Sequence, residues 1–516
     1  MKKYLMIFTL AALVLAGCNK NENESEPGQL VYTEGGVNYI GNGDQNFYAP
    51  AGDYYLDASQ QYVLRGWVYI QDGSSLHIPA GTVIFGKSTD NTVKGSSLVI
   101  CRGGKIFAEG TATKPVVFTS DKPAGLRKSG DWGGIIICGR AKNNQGTMMI
   151  EGGPNAEHGG SNDTDDSGVL KYVRIEFAGF PLEPDKEING LTMGSVGSAT
   201  ELHHVQVSYS NDDSFEWFGG AVNCDHLVAY HNWDDDFDTD NGFSGRVQFA
   251  LGVRHPKIAD TSCSNGFESD NDANGSTSEP FTTAQFCNVT LIGPIGQDDA
   301  FVNQTSYITA GALNPNNGSQ LGQFQAGFQI RRGSKLSILN SAVMGWPVGA
   351  IIDSEKGQSQ AYAGDRDAVR NVFFGGYTDN AVDAKFNNAA TGGVPVLGAD
   401  RNKKWEDALC VSGATDLDIT QKSFTHSYVL TAGRGNQCVN SLGLGDPRSV
   451  TGGSFTPNAA ANFGPATGSV LVNASLTVPA GFDTAGNGFA GAFKSDAAAD
   501  NWMAGWTNFD PQNTVY

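Results

Sequence analysis

Five aspartates, Asp234, Asp235, Asp236, Asp238 and Asp240, fall within seven positions of the stretch HNWDDDFDTDNGFSG. Acid at that density needs compensation by a cation, by Arg or Lys, or by carboxyls that keep a proton. Similar phrases stand on either side, NDDSFEWFGG from Asn211 and SNGFESDNDANG from Ser264. Aligned on their phenylalanines they read Phe215-Glu216-Trp217-Phe218, Phe237-Asp238-Thr239-Asp240 and Phe267-Glu268-Ser269-Asp270. Oxygen-only sets of Asp and Glu, with Asn and backbone carbonyls nearby, suit Ca²⁺. The candidate ligands are Asp213, Glu216, Asp236, Asp238, Asp240, Glu268 and Asp270. The plainer alternative leaves these acids in solvated turns, or pairs them with Arg246, Arg254, Arg331 and Arg332. His203, His204, His226 and His231 also cluster in sequence. A stacking pair of His204 and His226 is weighed there against a transition-metal site.

The spacing says what must position these side chains. Phe215 and Phe237 are 22 residues apart, and Phe267 follows 30 later. The same 22-residue interval separates GSSLHIPAGTVIF at Gly73 from GSSLVICRGGKIF at Gly95, and Val205 from Leu227. A short period of apolar strands and Gly or Asn turns is the mark of a solenoid. Strand phrases such as LKYVRIEFAGF, LHHVQVSYSND and CDHLVAYHNWD alternate apolar and polar residues, as a strand with one buried face does. Propeller blades need roughly 40 residues or more. The expected fold is therefore all-β, a right-handed parallel β-helix. Inserted loops are expected at 151–168 and 303–325. Stacking makes the phenylalanines an internal ladder about 4.8 Å apart. Alternation then turns Glu216, Asp238 and Glu268 outward as one column, with Asp240 and Asp270 as a second. Carboxylates about 5 Å apart repel by roughly 3 kcal/mol at an effective dielectric of 20, so the column calls for a counter-charge.

Composition agrees with a turn-rich β protein: 67 glycines and 17% charged residues in 516. A net charge of -20 argues against nucleic acid and anionic membrane surfaces as partners. Residues 1–18 read as a signal peptide, with two lysines, an apolar run too short to span a bilayer, and Leu15-Ala16-Gly17-Cys18 resembling a lipobox. Cys18 is the expected lipidation site and the expected tie to the membrane. Residues 19–36 read as an acidic tether, 37–380 as the β-helix, and 381–516 as irregular coils with an aromatic ending that caps the solenoid or packs along it. No CxxC pair supports a zinc ribbon. Cys101 and Cys138 sit in apolar runs, whereas Cys410 and Cys438 lie in a polar region of an exported chain and are expected to be bridged.

The phrases GTATKPVVFTS, GDWGGIIICGRA, YVRIEFAG, SYSNDDSFEWFGG, DDDFDTDNGFSG, NGFESDND and WTNFDPQNTVY resemble a family of bacterial surface lipoproteins with a pectate-lyase-like β-helix. The resemblance covers most of the mature chain. It implies the fold and an outer-membrane, outward-facing location, but no reaction. The expectation is a lipid-anchored platform whose acidic face holds Ca²⁺ and binds an extracellular polysaccharide or an outer-membrane protein, with Trp233 and Arg254 as ligand-binding candidates. One alternative is a polysaccharide lyase or glycoside hydrolase, because neighbouring coils bring carboxyls to catalytic spacing. Its catalytic residues are not identified: RHPKIA resembles the start of a pectate lyase motif, but Ala259 stands where a second Arg is needed. A further alternative is an accessory lipoprotein of an outer-membrane importer.

Overall fold

The computed structural model describes residues 29–89, 95–180, 188–260, 263–298, 301, 324–354, 356–375, 408–411, 424–452 and 454–516. Cys18, the signal segment and most of the expected tether lie outside the described residues.

Short strands stack coil on coil into two long parallel sheets. In the first, Gly168–Glu176, Glu201–Ser208, Cys224–Tyr230, Arg246–Val253, Gln285–Ile292, Ser337–Met344 and Val369–Gly375 lie side by side in chain order. In the second, Leu191–Gly194, Phe215–Phe218, Phe237–Asp240, Phe267–Ser269, Phe328–Ile330 and Val348–Ile352 do the same. Each coil gives one strand to each sheet, and the fold is the expected right-handed parallel β-helix. A strand pairs only with the coils above and below, so a repeat in sequence becomes a column in space.

The interior is filled by residues that alternation turns inward. Phe215, Phe237 and Phe267 stack with ring centroids 5.6 Å and 5.2 Å apart. Trp217 is fully buried and stacks on Phe243 at 5.3 Å. Burying side chains of this size is worth roughly 1.5–3 kcal/mol each, so the ladder contributes to the cohesion between coils.

Toward the N-terminus the helix has a third face. Lys105–Glu109 and Val116–Ser120 are separate strands, yet both pair with the single strand Gly168–Glu176, on either side of Tyr172. Tyr172 has φ +51°, and His204, His226, Phe249, Asn288, Asn340 and Asn371 hold the same position on later coils with φ between +46° and +57°. This bend keeps the corner that separates the two shorter strands. A left-handed non-Gly residue costs roughly 1–2 kcal/mol. Contacts between coils offset it: Tyr172, His204, His226 and Phe249 stack at 4.4, 4.3 and 4.9 Å, and Asn371 Nδ2 donates to Asn340 Oδ1 at 2.8 Å.

At the N-terminal end, Val31–Glu34 and Val37–Ile40 form a hairpin whose second strand joins the first sheet. Residues 31–34, assigned to the tether from sequence, are therefore strand. Near the other end Gln437–Val439 adds a parallel strand beside Val369–Gly375. The aromatic ending packs along the solenoid. Met503 and Trp506 are buried against Val228, Tyr230, Leu251 and Val253, the outward residues of the first sheet. Cys438 is disulfide-bonded. Cys101, Cys138, Cys224, Cys263 and Cys287 are free thiols, and the side chain of Cys410 lies outside the description.

Candidate acidic site on the second sheet

Register brings the three phrases together as their spacing predicts. Glu216 pairs with Asp238 and Asp238 with Glu268, between Thr192 on one side and Gln329 on the other. The column faces away from the phenylalanine ladder, but it does not stand in open water. Glu216 is 9% exposed, Asp213 and Asp235 are buried, and Asp238 and Glu268 are half-buried.

A second column runs through the turn that precedes each strand. The backbone N–H of Asp213 donates to Asn189 Oδ1 at 3.2 Å, that of Asp235 to Asp213 Oδ1 at 2.7 Å, and that of Ala326 to Asn265 Oδ1 at 3.2 Å. Asn265 N–H donates to Asp235 Oδ1 in the same way. Each of these residues stands two positions before the inward Leu or Phe of its coil, so an Asn or Asp two before the aromatic is the sequence signal for the ladder. That signal was missed: Asn189 and Asn265 are not singled out from sequence, and Asp235 is named only as part of the acidic stretch, not among the candidate ligands.

Carboxylate oxygens of Asp213, Glu216 and Asp238 lie within 4.8 Å of one another, as do those of Asp235, Asp238 and Glu268. Burial, then Glu216, Glu268, Asp235 and Asp270, pushes Asp238 well above the usual carboxylate range. Burial, then Glu151, Asp212 and Asp240, does the same to Glu216. For Asp213 burial leads, followed by Asp212 and Asp235. Asp240 is pushed up to about 7 by burial and then by Asp270.

The two ends of the column are compensated differently. Arg331 pairs with Glu268 and donates to Asp270 Oδ1 at 2.9 Å and Oδ2 at 3.2 Å, and Arg332 Nη1 donates to Asp270 Oδ2 at 2.6 Å. Asp270 is thus saturated by arginine, and Glu268 is partly neutralised. At the other end, among the described residues, no Lys or Arg forms an ion pair with Asp213, Glu216 or Asp238. Asn189 Nδ2 donates to Glu216, and Asp238 Oδ1 is buried with no hydrogen-bond partner.

Three residues singled out from sequence lie elsewhere. Asp236 and Arg254 are fully buried and paired at 3.0 Å, and Arg254 Nη2 donates to the Trp233 carbonyl at 2.9 Å. Burial lifts Asp236 to about 7 even though Arg254 pulls it down. Asp236 precedes its strand, where the two-residue alternation does not operate, and its carboxylate turns in to Arg254 rather than out to the column. Trp233 is also fully buried, in the cluster with Tyr230 and Trp506. Neither Trp233 nor Arg254 presents a surface to a ligand.

Beside the column lies a cavity of about 600 Å³. Phe218 and Asp240 line it, with Met149 and Glu151 from the segment before residue 153 and Asp272 and Asn274 from the loop after the third phrase. Burial raises the Glu151 carboxyl. The cavity thus combines apolar surface with Asp240, pushed up to about 7, and Glu151, raised by burial. Nothing periodic marks Glu151, which sits at the start of an inserted loop.

A family model described as a pectate-lyase-like β-helix domain matches residues 49–416. No curated protein and no solved structure matches the chain.

Proposed function

Because the chain belongs to the pectate-lyase-like β-helix domain family, we propose that its second sheet is a cation-dependent binding face for an extracellular glycan. Asp213, Glu216 and Asp238 hold one Ca²⁺, and the neighbouring cavity takes a hydroxyl-bearing sugar. One observation carries the reading: Asp238 Oδ1 is buried without a hydrogen-bond partner, in a carboxylate group with which no Lys or Arg among the described residues forms an ion pair. Oxygens on opposite sides of one Ca²⁺ are about 5 Å apart, which is the span of this group. Asp235 and Glu268 supply further oxygens, although Arg331 competes for Glu268. The protein is carried on the outer membrane by lipid on Cys18 and faces outward. Loss of membrane association in Cys18→Ser, followed by fractionation, checks the anchor.

Calorimetry with Ca²⁺ and thermal melts test the ion. One equivalent should bind, and melting should rise with Ca²⁺ concentration by mass action. Asp238→Asn should weaken binding at least about tenfold, by analogy with the loss of supporting ligands in other metal sites. In chelator, at a pH where the column has lost its protons, the same variant should melt higher than the parent, because a repelling charge is gone. A stabilised Asp238→Asn with no Ca²⁺ response in the parent sinks the proposal.

A second reading rests on the cavity. Asp240, pushed up to about 7, and Glu151, also raised, line one cavity as a general acid and base would. On this reading the protein cleaves the polysaccharide it binds. Loss of depolymerising activity in Asp240→Asn with polysaccharide binding retained favours it; binding without cleavage in the parent favours the platform.

A further inference from the structure

The bend in the first sheet assembles a second set of ligands, on the other sheet of the coils that carry the acid columns. In a straight strand His203 and His204 would point to opposite faces. His204 has φ +57°, which breaks the alternation, and His203 Nδ1 lies 2.9 Å from His204 Nδ1. One coil further on, His226 at φ +54° does the same beside Asp225, and its Nδ1 lies 2.5 Å from Asp225 Oδ1. Register places His203 directly against Asp225. One ligand atom each from His203, His204 and Asp225 lies within 4.8 Å of the others.

We propose that His203, His204 and Asp225 form a site for a divalent first-row transition ion, with His226 orienting the Asp225 carboxylate. Metal–nitrogen bonds are about 2.0–2.1 Å, so two cis nitrogens on one ion stand about 3 Å apart, close to the separation of the two Nδ1 atoms. Two imidazoles and one carboxylate suit zinc, iron, cobalt or nickel and leave coordination positions open. Without an ion, one Nδ1 donates to the other. Binding needs both lone pairs, and a tautomer shift moves that proton to Nε2. Tyr172 and His226 clamp the His204 ring at 4.4 and 4.3 Å, and the Trp502 ring meets its edge. The Asp225 side chain keeps 48% of its surface exposed, so an ion reaches the group from solvent. The Asp225–His226 contact is the outer-shell support that holds ligands in other metal sites.

The test uses the purified full-length protein stripped with chelator, then titrated with Zn²⁺ by calorimetry and with Co²⁺ by absorption. One equivalent should bind at micromolar protein, and Co²⁺ should give ligand-field bands. His203→Ala and Asp225→Asn should each weaken Zn²⁺ binding by about 10- to 100-fold. His204→Phe keeps the ring stack and should weaken it as much, which separates ligation from folding. Glu34→Gln, in the N-terminal hairpin, should leave Zn²⁺ affinity unchanged. No binding at micromolar Zn²⁺, or affinity unaffected by His203→Ala and Asp225→Asn, overturns the proposal.

Discussion

Asp240 makes the chemistry of the acid face measurable through pH. Its folded-state pKa, about 7, is above the ordinary 3.8, so the folded protein binds this proton more tightly than the unfolded chain. The stability it contributes is complete below pH 4 and is lost as pH rises toward 7. Burial raises Glu216 and Asp238 as well, so they contribute to the loss in the same direction. Buried His231 and His255 pull the other way. Burial holds both well below 6.5, His255 at about 3, so they cost stability as pH falls under 6.5. Between pH 6.5 and 8 the carboxylates therefore set the slope. In chelator the melting temperature should fall across this window, and Asp240→Asn should flatten the fall. Ca²⁺ takes the place of the protons and should flatten it too. A chelated protein whose melting temperature is flat or rising from pH 6.5 to 8 contradicts the raised carboxyls.

At the scale of the element, a coil is defined by one inward aromatic and one turn amide. The aromatic was legible. Phe215, Phe237 and Phe267 recur at coil length, and pairing in register follows from burying them. The outward column of Glu216, Asp238 and Glu268 was legible for the same reason. The cavity beside it was not, because Met149, Glu151 and Asp272, which line it, come from segments with no period to read. The bends at His204 and His226 were not read, although His and Asn, which tolerate positive φ, hold five of the seven bend positions named above. The inward turn of Asp236 to Arg254 was missed because alternation stops where the strand does. The turn ladder gives this scale its own prediction. Asn265→Ala leaves the Ala326 N–H without its acceptor and should cost about 1–3 kcal/mol by urea denaturation. Asn265→Asp keeps the acceptor but adds charge beside Asp235 and Glu268. It should be destabilised in chelator and recover more than the parent when Ca²⁺ is added. Equal costs for Ala and Asp in both conditions contradict the ladder.

For the whole molecule, a solenoid gains stability from neighbouring coils and has no contact that joins distant ones directly. The C-terminal segment supplies such contacts. Asn508 accepts from Gln206 Nε2 through its carbonyl at 2.8 Å, and Phe509 accepts from Tyr230 OH at 3.1 Å. Arg127 Nη1 donates to the carbonyls of Pro511 and Thr514 at 2.7 and 2.9 Å, which ties the segment to a coil nearer the N-terminus. Tyr516 closes it: its hydroxyl lies 2.6 and 2.8 Å from the two carboxylate oxygens of Glu176, whose side chain is 1% exposed, and Arg174 lies over its ring. The segment can open without the coils unfolding, so melting need not report its release. Hydrogen exchange reads the opening of the segment directly. Tyr516→Phe keeps the ring over Arg174 and removes only the hydroxyl, leaving a buried carboxylate short of a donor. A hydrogen bond to a charged group is worth about 1.5–3 kcal/mol, so exchange at the Asn508 and Thr507 amides should quicken roughly ten- to hundredfold. Amides of the Phe237–Asp240 strand, held by coil-to-coil pairing, should be unaffected, and so should Ca²⁺ affinity. Unchanged exchange at Asn508 would mean that the aromatic packing of Trp506 holds the segment without Tyr516.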